Sequence, residues 1–154
     1  MKDTSFKSVQ YEGIKIRIPG SWFSETETYE EADGSTSYSL NLCGRGRDAR
    51  CINISVGMIP EGSDAHIEAS RAYEEVVSEE DLAINEEPII CFEFQKRKAY
   101  GFNIWTDDGL PCFFFCIDIP DKGKNSLLTV LICASDNKEM EGLMTLVEES
   151  LKVE

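Results

Sequence analysis

The clearest pattern in the chain is strict alternation over Ile14–Ile18, with Ile14, Ile16 and Ile18 on one face and Lys15 and Arg17 on the other. A period of two is the signature of a half-buried β-strand. The same period groups Tyr38, Leu40 and Leu42 over residues 37–42, and Ile52, Ile54, Val56 and Met58 over residues 51–58. All of these side chains are expected to point inward. Phe6–Tyr11 predicts a short first strand, closed by Glu12 and Gly13. Residues 24–29 are polar and β-tolerant, and predict an edge strand guarded by its glutamates. Two Phe-, Ile-, Val- and Leu-rich runs, 110–120 and 126–134, flank a polar loop at 121–125. Each is shorter than the roughly 20 apolar residues of a membrane-spanning helix. They predict neighbouring central strands buried on both faces or nearly so.

Helical spacing occurs twice. Ser63 or Asp64 can cap a helix running to about Ser78, with Ala65, Ala69, Ala72, Tyr73, Val76 and Val77 on its inner side. Asp136 and Glu139 fit a capping box. The stripe Met140, Leu143, Met144, Val147 and Leu151 then predicts a final helix reaching the chain end. Between the helices, residues 77–88 predict a linker with a short strand near Leu82–Ile84. Residues 89–94 and 98–106 predict antiparallel strands around a basic turn at Lys96, Arg97 and Lys98. Turns are expected at Pro19–Gly20, at 32–35, at Pro60–Gly62 and at Asp107–Gly109, the last a strong hairpin signal. Trp22 and Phe23 read as anchors at a strand end. Strands, a helix, more strands and a closing helix give an α+β fold with a mostly antiparallel sheet and helices packed on it.

A chain of 154 residues can bury roughly 70% of its unfolded surface in one domain. No repeat, low-complexity segment or composition shift marks a second domain, so residues 1–154 are expected to form a single one. The N-terminal residues carry no apolar run and no small-residue cleavage pattern, which predicts a soluble cytoplasmic protein. Twenty-nine acidic against fifteen basic residues give a net charge of −14. That sign repels phosphate backbones and anionic headgroups, so neither nucleic acid nor membrane is an expected partner. A basic protein or peptide would be attracted. The six cysteines, Cys43, Cys51, Cys91, Cys112, Cys116 and Cys133, read as reduced core residues, because most lie in apolar strand-like runs.

The order of motifs resembles the Mog1/PsbP-like superfamily, and within it the small bacterial members. The resemblance is carried by Ile16–Trp22 with its Pro19-Gly20-x-Trp22 step, and by Met58, Ile59 and Pro60 after a strand. It continues through the helix from Ser63, the hairpins near Gly101 and Gly109, the strand over 127–134, and Val147–Leu151 in the closing helix. It implies an αβα sandwich with a mostly antiparallel central sheet. Superfamily members bind other proteins, among them a small GTPase, photosystem subunits and secreted effectors. The superfamily has no common catalytic motif, so the resemblance transfers no site residue.

Candidate chemistry is thin. His66 and Glu68, followed by Pro111, Cys112 and Cys116, approach the zinc deaminase signature, in which H-x-E precedes P-C-x-x-C. Here three phenylalanines separate the cysteines. On a strand, positions i and i+4 lie about 13 Å apart, too far for two ligands of one zinc. His66 reads as a solvated or capping residue on a helical first turn. The paired glutamates read as solvated faces, and Gly44–Asp48 lacks the lysine and spacing of a phosphate loop. The basic segments 44–50 and 96–98 read as turns with solvated charges. No catalytic, cofactor or metal residue is assigned, and no cofactor is expected.

Three functions remain. The first is a non-enzymatic protein-binding module: an acidic adaptor, chaperone-like or inhibitory, that uses a sheet face or a groove beside a helix. The alternative is an enzyme or small-ligand binder whose pocket is assembled from residues distant in sequence. The third is self-association into a homo-oligomer through an uncovered sheet face.

Overall fold

The computed structural model describes residues 5–31, 34–80, 89–106, 108–119 and 125–153. The strand expected near Leu82–Ile84, the loop at 121–124, and parts of the turns at 32–35 and 107–109 lie outside them.

Among the described residues ten strands and two helices follow one another: β1 (Phe6–Tyr11), β2 (Ile14–Pro19), β3 (Phe23–Glu30), β4 (Thr36–Cys43), β5 (Cys51–Met58), α1 (Ala65–Glu80), β6 (Ile90–Phe94), β7 (Arg97–Trp105), β8 (Pro111–Asp118), β9 (Ser126–Cys133), α2 (Asn137–Ser150) and β10 (Lys152–Val153). Every pairing is antiparallel. The strands form two sheets, a seven-stranded one in the order β3-β4-β5-β9-β8-β7-β6 and a small one, β1-β2-β10. The two apolar runs are therefore central neighbours, as their composition predicts, and β3 lies at an edge. The final helix does not close the chain. After Leu151 the backbone turns extended, and Lys152 and Val153 pair with Lys15 and Ile14 of β2. A two-residue strand carries no periodicity, so the helical pattern gives no sign of it.

Alternation sorts the large sheet into two faces. One carries Leu40, Leu42, Ile52, Ile54, Val130, Ile132, Phe115 and Ile117, all essentially buried. Ile14, Ile16 and Ile18 of β2 cover this face together with Leu143, Val147 and Leu151 from the α2 end, and Trp22 joins the same core. Burying each such aliphatic side chain contributes about 1.5–3 kcal/mol. At the β6–β8 end the packing becomes aromatic: Phe115 meets Phe92, Phe94 and Phe113 with ring centres 5.1–5.7 Å apart. Gly101 of β7 faces the same side. A Cβ there would collide with the Phe114 carbonyl oxygen and the Phe115 side chain, so no other residue fits the close strand approach.

Two hairpins turn on two residues. Glu12 and Gly13 have φ of 49° and 85°, and Gln95 and Lys96 have φ of 50° and 67°, the left-handed pair of a type I′ turn. The second turn is thus Gln95–Lys96, and Arg97 already pairs with Phe94 in the ladder, one residue earlier than the basic run suggests. Gln95 also ends α2, since its Nε2 donates to the carbonyls of Glu148 and Leu151, each at 2.8 Å. At the other end of α2, Asp136 Oδ1 accepts from the N–H of Glu139 at 2.8 Å, and Glu139 reaches back to the N–H of Ser135 at 3.1 Å. This is the predicted capping box, with its return arm one residue further out.

Candidate functional site

Helix α1 packs chiefly on β7 and β8. Ala65 and Ala69 are fully buried, and their small side chains let the helix approach Cys116 and Phe114. Tyr73 meets Phe102 edge-on at 5.4 Å. Asp64 caps the helix, accepting from the N–H of Ile67 at 2.9 Å.

Beyond the helix, the same face of the sheet over β3, β4, β5 and β9 turns polar. Asn53 Nδ2 donates to Asn41 Oδ1 at 2.5 Å and to Ser39 Oγ at 3.1 Å. Ser55 Oγ donates to Ser39 Oγ and to Asn53 Oδ1, both at 3.2 Å. By register, Glu25 and Glu27 of β3 stand beside Asn41 and Ser39 on this face, and Tyr29 stands beside Ser37. All three β3 side chains are exposed. A shallow hollow of about 270 Å³ lies where Tyr29, Ser37, Gly57, Met58 and Thr129 meet. Met58, expected to point inward with Ile52, Ile54 and Val56, is half exposed at its rim. The cause is positional: it lies at the strand end, beyond the cover of α2 and β2. The result is a hydrogen-bonding surface with a carboxylate margin.

At the opposite end of this face four cysteines stand in one row. Cys43 pairs with Cys51, Cys51 with Cys133, and Cys133 with Cys112, across β4, β5, β9 and β8. The Cys43 and Cys51 sulfurs are 3.2 Å apart, and those of Cys112 and Cys133 2.8 Å. All six cysteines are free thiols. The expectation that they are core residues holds for Cys112 and Cys116 only. Cys91 is exposed and the other three are half-buried, because the strand ends and this face are incompletely covered. Burial, then the neighbouring thiol, pushes Cys51 and Cys133 up to about 12, and burial does the same for Cys116.

The residues of the deaminase-like pattern do not converge. His66 is exposed and lies against the Tyr100 ring at 4.9 Å, while Glu68 accepts from Ser63 and Arg71. Cys112 and Cys116 stand opposite Cys133 and Thr129. Among the described residues no group of three or more His, Cys, Asp or Glu is arranged to hold a metal. In a row across four strands, at roughly 4.8 Å per strand, Cys43 and Cys112 stand about 14 Å apart, too far for two ligands of one zinc.

The second concavity is a cleft of about 730 Å³ beside α2, lined by Phe6, Arg17, Ser21, Arg50, Glu139 and Glu149 among others. Arg50 is held there by a two-armed ion pair with Asp48, at 2.9 and 2.7 Å, and lies over the Trp22 ring. Arg45 donates to the Ser21 carbonyl at 2.9 Å. Much of the basic charge of the 44–50 loop is thus committed within the chain. Trp22 is a buried anchor, as predicted. Trp105, at the end of β7, is 65% exposed.

No protein-family profile matches the chain, and no curated protein sequence does. Among solved structures it is similar to the solution structure of cyanobacterial PsbP (CyanoP) from Synechocystis sp. PCC 6803. The match has a TM-score of 0.59 and 14% sequence identity, and covers 97% of this chain and 92% of that one. At that identity the likeness concerns the fold alone. The chain has a PsbP-like α+β fold.

Proposed function

We propose that this chain is a non-enzymatic protein-binding module, an acidic cytoplasmic adaptor of chaperone-like or inhibitory kind. It engages a basic segment of a protein partner on the polar face of the large sheet. The observation that carries the reading is the half-face beside α1. There Glu25 and Glu27 border a band of serine, asparagine and threonine side chains, where a second helix would require an apolar surface. Charge complementarity supports the choice of partner, because the net charge of −14 steers cationic surfaces toward the molecule.

The test is capture on the immobilised chain from a lysate of its source cells, with elution along a salt gradient and a parallel column carrying Glu25→Lys and Glu27→Lys. A basic protein retained by the native chain, released as salt rises and absent from the variant column is the expected result. Equal recovery from both columns, or no specific species, overturns the reading. Saturable binding of a small metabolite in the α2 cleft would favour the ligand-binding alternative.

A further inference from the structure

The four-cysteine row is not used by the proposed partner face, and its geometry has a chemistry of its own. In an antiparallel ladder, hydrogen-bonded and non-hydrogen-bonded pairs alternate, with Cα separations of about 5.5 and 4.5 Å respectively. The Gly44 N–H donates to the Arg50 carbonyl at 3.0 Å, which makes the adjacent pair Cys43–Cys51 a non-hydrogen-bonded one. The Ala134 N–H donates to the Pro111 carbonyl at 3.0 Å, so Cys112–Cys133 is also non-hydrogen-bonded. Since a strand residue directs its backbone polar groups to one neighbour only, Cys51–Cys133 is the hydrogen-bonded, wider pair. Both close pairs fall within the Cα separation of about 4.4–6.8 Å that a disulfide spans. Cys91 and Cys116 have no such partner: across the strands they face Tyr100 and, for Cys116, also Thr129.

We propose that Cys43–Cys51 and Cys112–Cys133 are two sites of reversible disulfide formation, closed by small-molecule disulfides of the glutathione class. In the first pair, the Cys43 thiol loses its proton and attacks one sulfur of the small disulfide, expelling a thiolate. The Cys51 thiolate then attacks the Cys43 sulfur of the mixed disulfide and expels the second small thiolate. Two protein thiols are oxidised, one small disulfide is reduced to two thiols, and each leaving thiolate takes up a proton the protein gave up. In the second pair Cys133, half-buried, is the entry sulfur, and Cys112, 4% exposed, resolves. Cys43 and Cys51 are both half-buried whereas Cys112 is buried, so the first pair is the more accessible and its bridge forms first. Both bridges staple neighbouring strands that are already in register.

The experiment treats the full-length native chain with oxidised glutathione at mildly alkaline pH, blocks remaining thiols with iodoacetamide and maps linkages by mass spectrometry. Expected are a Cys43–Cys51 link, then a Cys112–Cys133 link, each costing two hydrogens and each reversed by dithiothreitol. Cys51→Ser should instead trap a stable glutathione adduct on Cys43. Modification of Cys91 alone, or a dominant Cys51–Cys133 link, overturns the proposal.

Discussion

The carboxylate of Asp118, the last residue of β8, accepts the backbone N–H of Ala65, the first residue of α1, at 3.1 and 3.2 Å. Two segments more than fifty positions apart thus share a cap, and a helix end left unpaired by its own turn is satisfied from the sheet. Asp118→Ala should lower stability by about 1 kcal/mol, the usual cost of losing a cap acceptor. Asp118→Asn, which keeps an acceptor, should lower it less. Urea denaturation of the two variants checks both the loss and its order.

Gly101 sits where β7 passes closest to the Phe114 carbonyl. Gly101→Ala should cost about 1–3 kcal/mol, the range of overpacking in a closed core. A denaturation midpoint unchanged from the native chain would show that the strands can separate without penalty.

Asp48 is held below its ordinary value chiefly by its hydrogen bond with Arg50, against an opposing effect of burial. The folded value lies under the unfolded one, 3.8, so the pair's contribution is fully present above that pH. It is lost as pH falls through the lower folded value. Both side chains are partly exposed, so the contribution is modest. Stability measured downward from about pH 5 should fall less steeply in Asp48→Asn than in the native chain.

Thiol labelling should follow exposure and the displaced thiols. Cys91, exposed at the β6 edge, should alkylate first at neutral pH. Cys51, Cys116 and Cys133, each pushed up to about 12, should stay largely unlabelled there and gain reactivity as pH rises toward that value. Peptide mapping of a timed iodoacetamide reaction distinguishes this order from uniform labelling.

Elements with a strong internal period were legible from sequence. β2, β4 and β5 alternate because one face meets the core, and Leu143, Val147 and Leu151 of the final helical stripe join that same core. Asp136 and Glu139 marked a cap through local chemistry alone. What depends on distant pairing was not legible. The separation of β1 and β2 into their own sheet, the addition of β10, and the pairing of β9 with β5 are choices among partners that no local pattern ranks. The cysteine row belongs to this class, since it exists only when four strands align. One signal for it was present: Cys43 and Cys51 flank one connection, Cys112 and Cys133 stand at opposite ends of another hairpin, and such symmetric positions face each other. The polar half-face carried a weaker mark in the run of serines and asparagines alternating with Leu40, Leu42, Ile52 and Ile54.

The position of β9 also orders events at the ribosome. β5 cannot gain its second neighbour until Ser126–Cys133 has been synthesised, long after Cys51–Met58. At about 5–20 residues per second, that interval lasts several seconds. Throughout it the nascent chain displays an unpaired strand edge beside the uncovered Ile52, Ile54 and Val56, a template for pairing between neighbouring polysome products. The late arrival of the strand that joins the two halves makes completion of this sheet a late event in its synthesis, and gives chaperones a defined window in which to act.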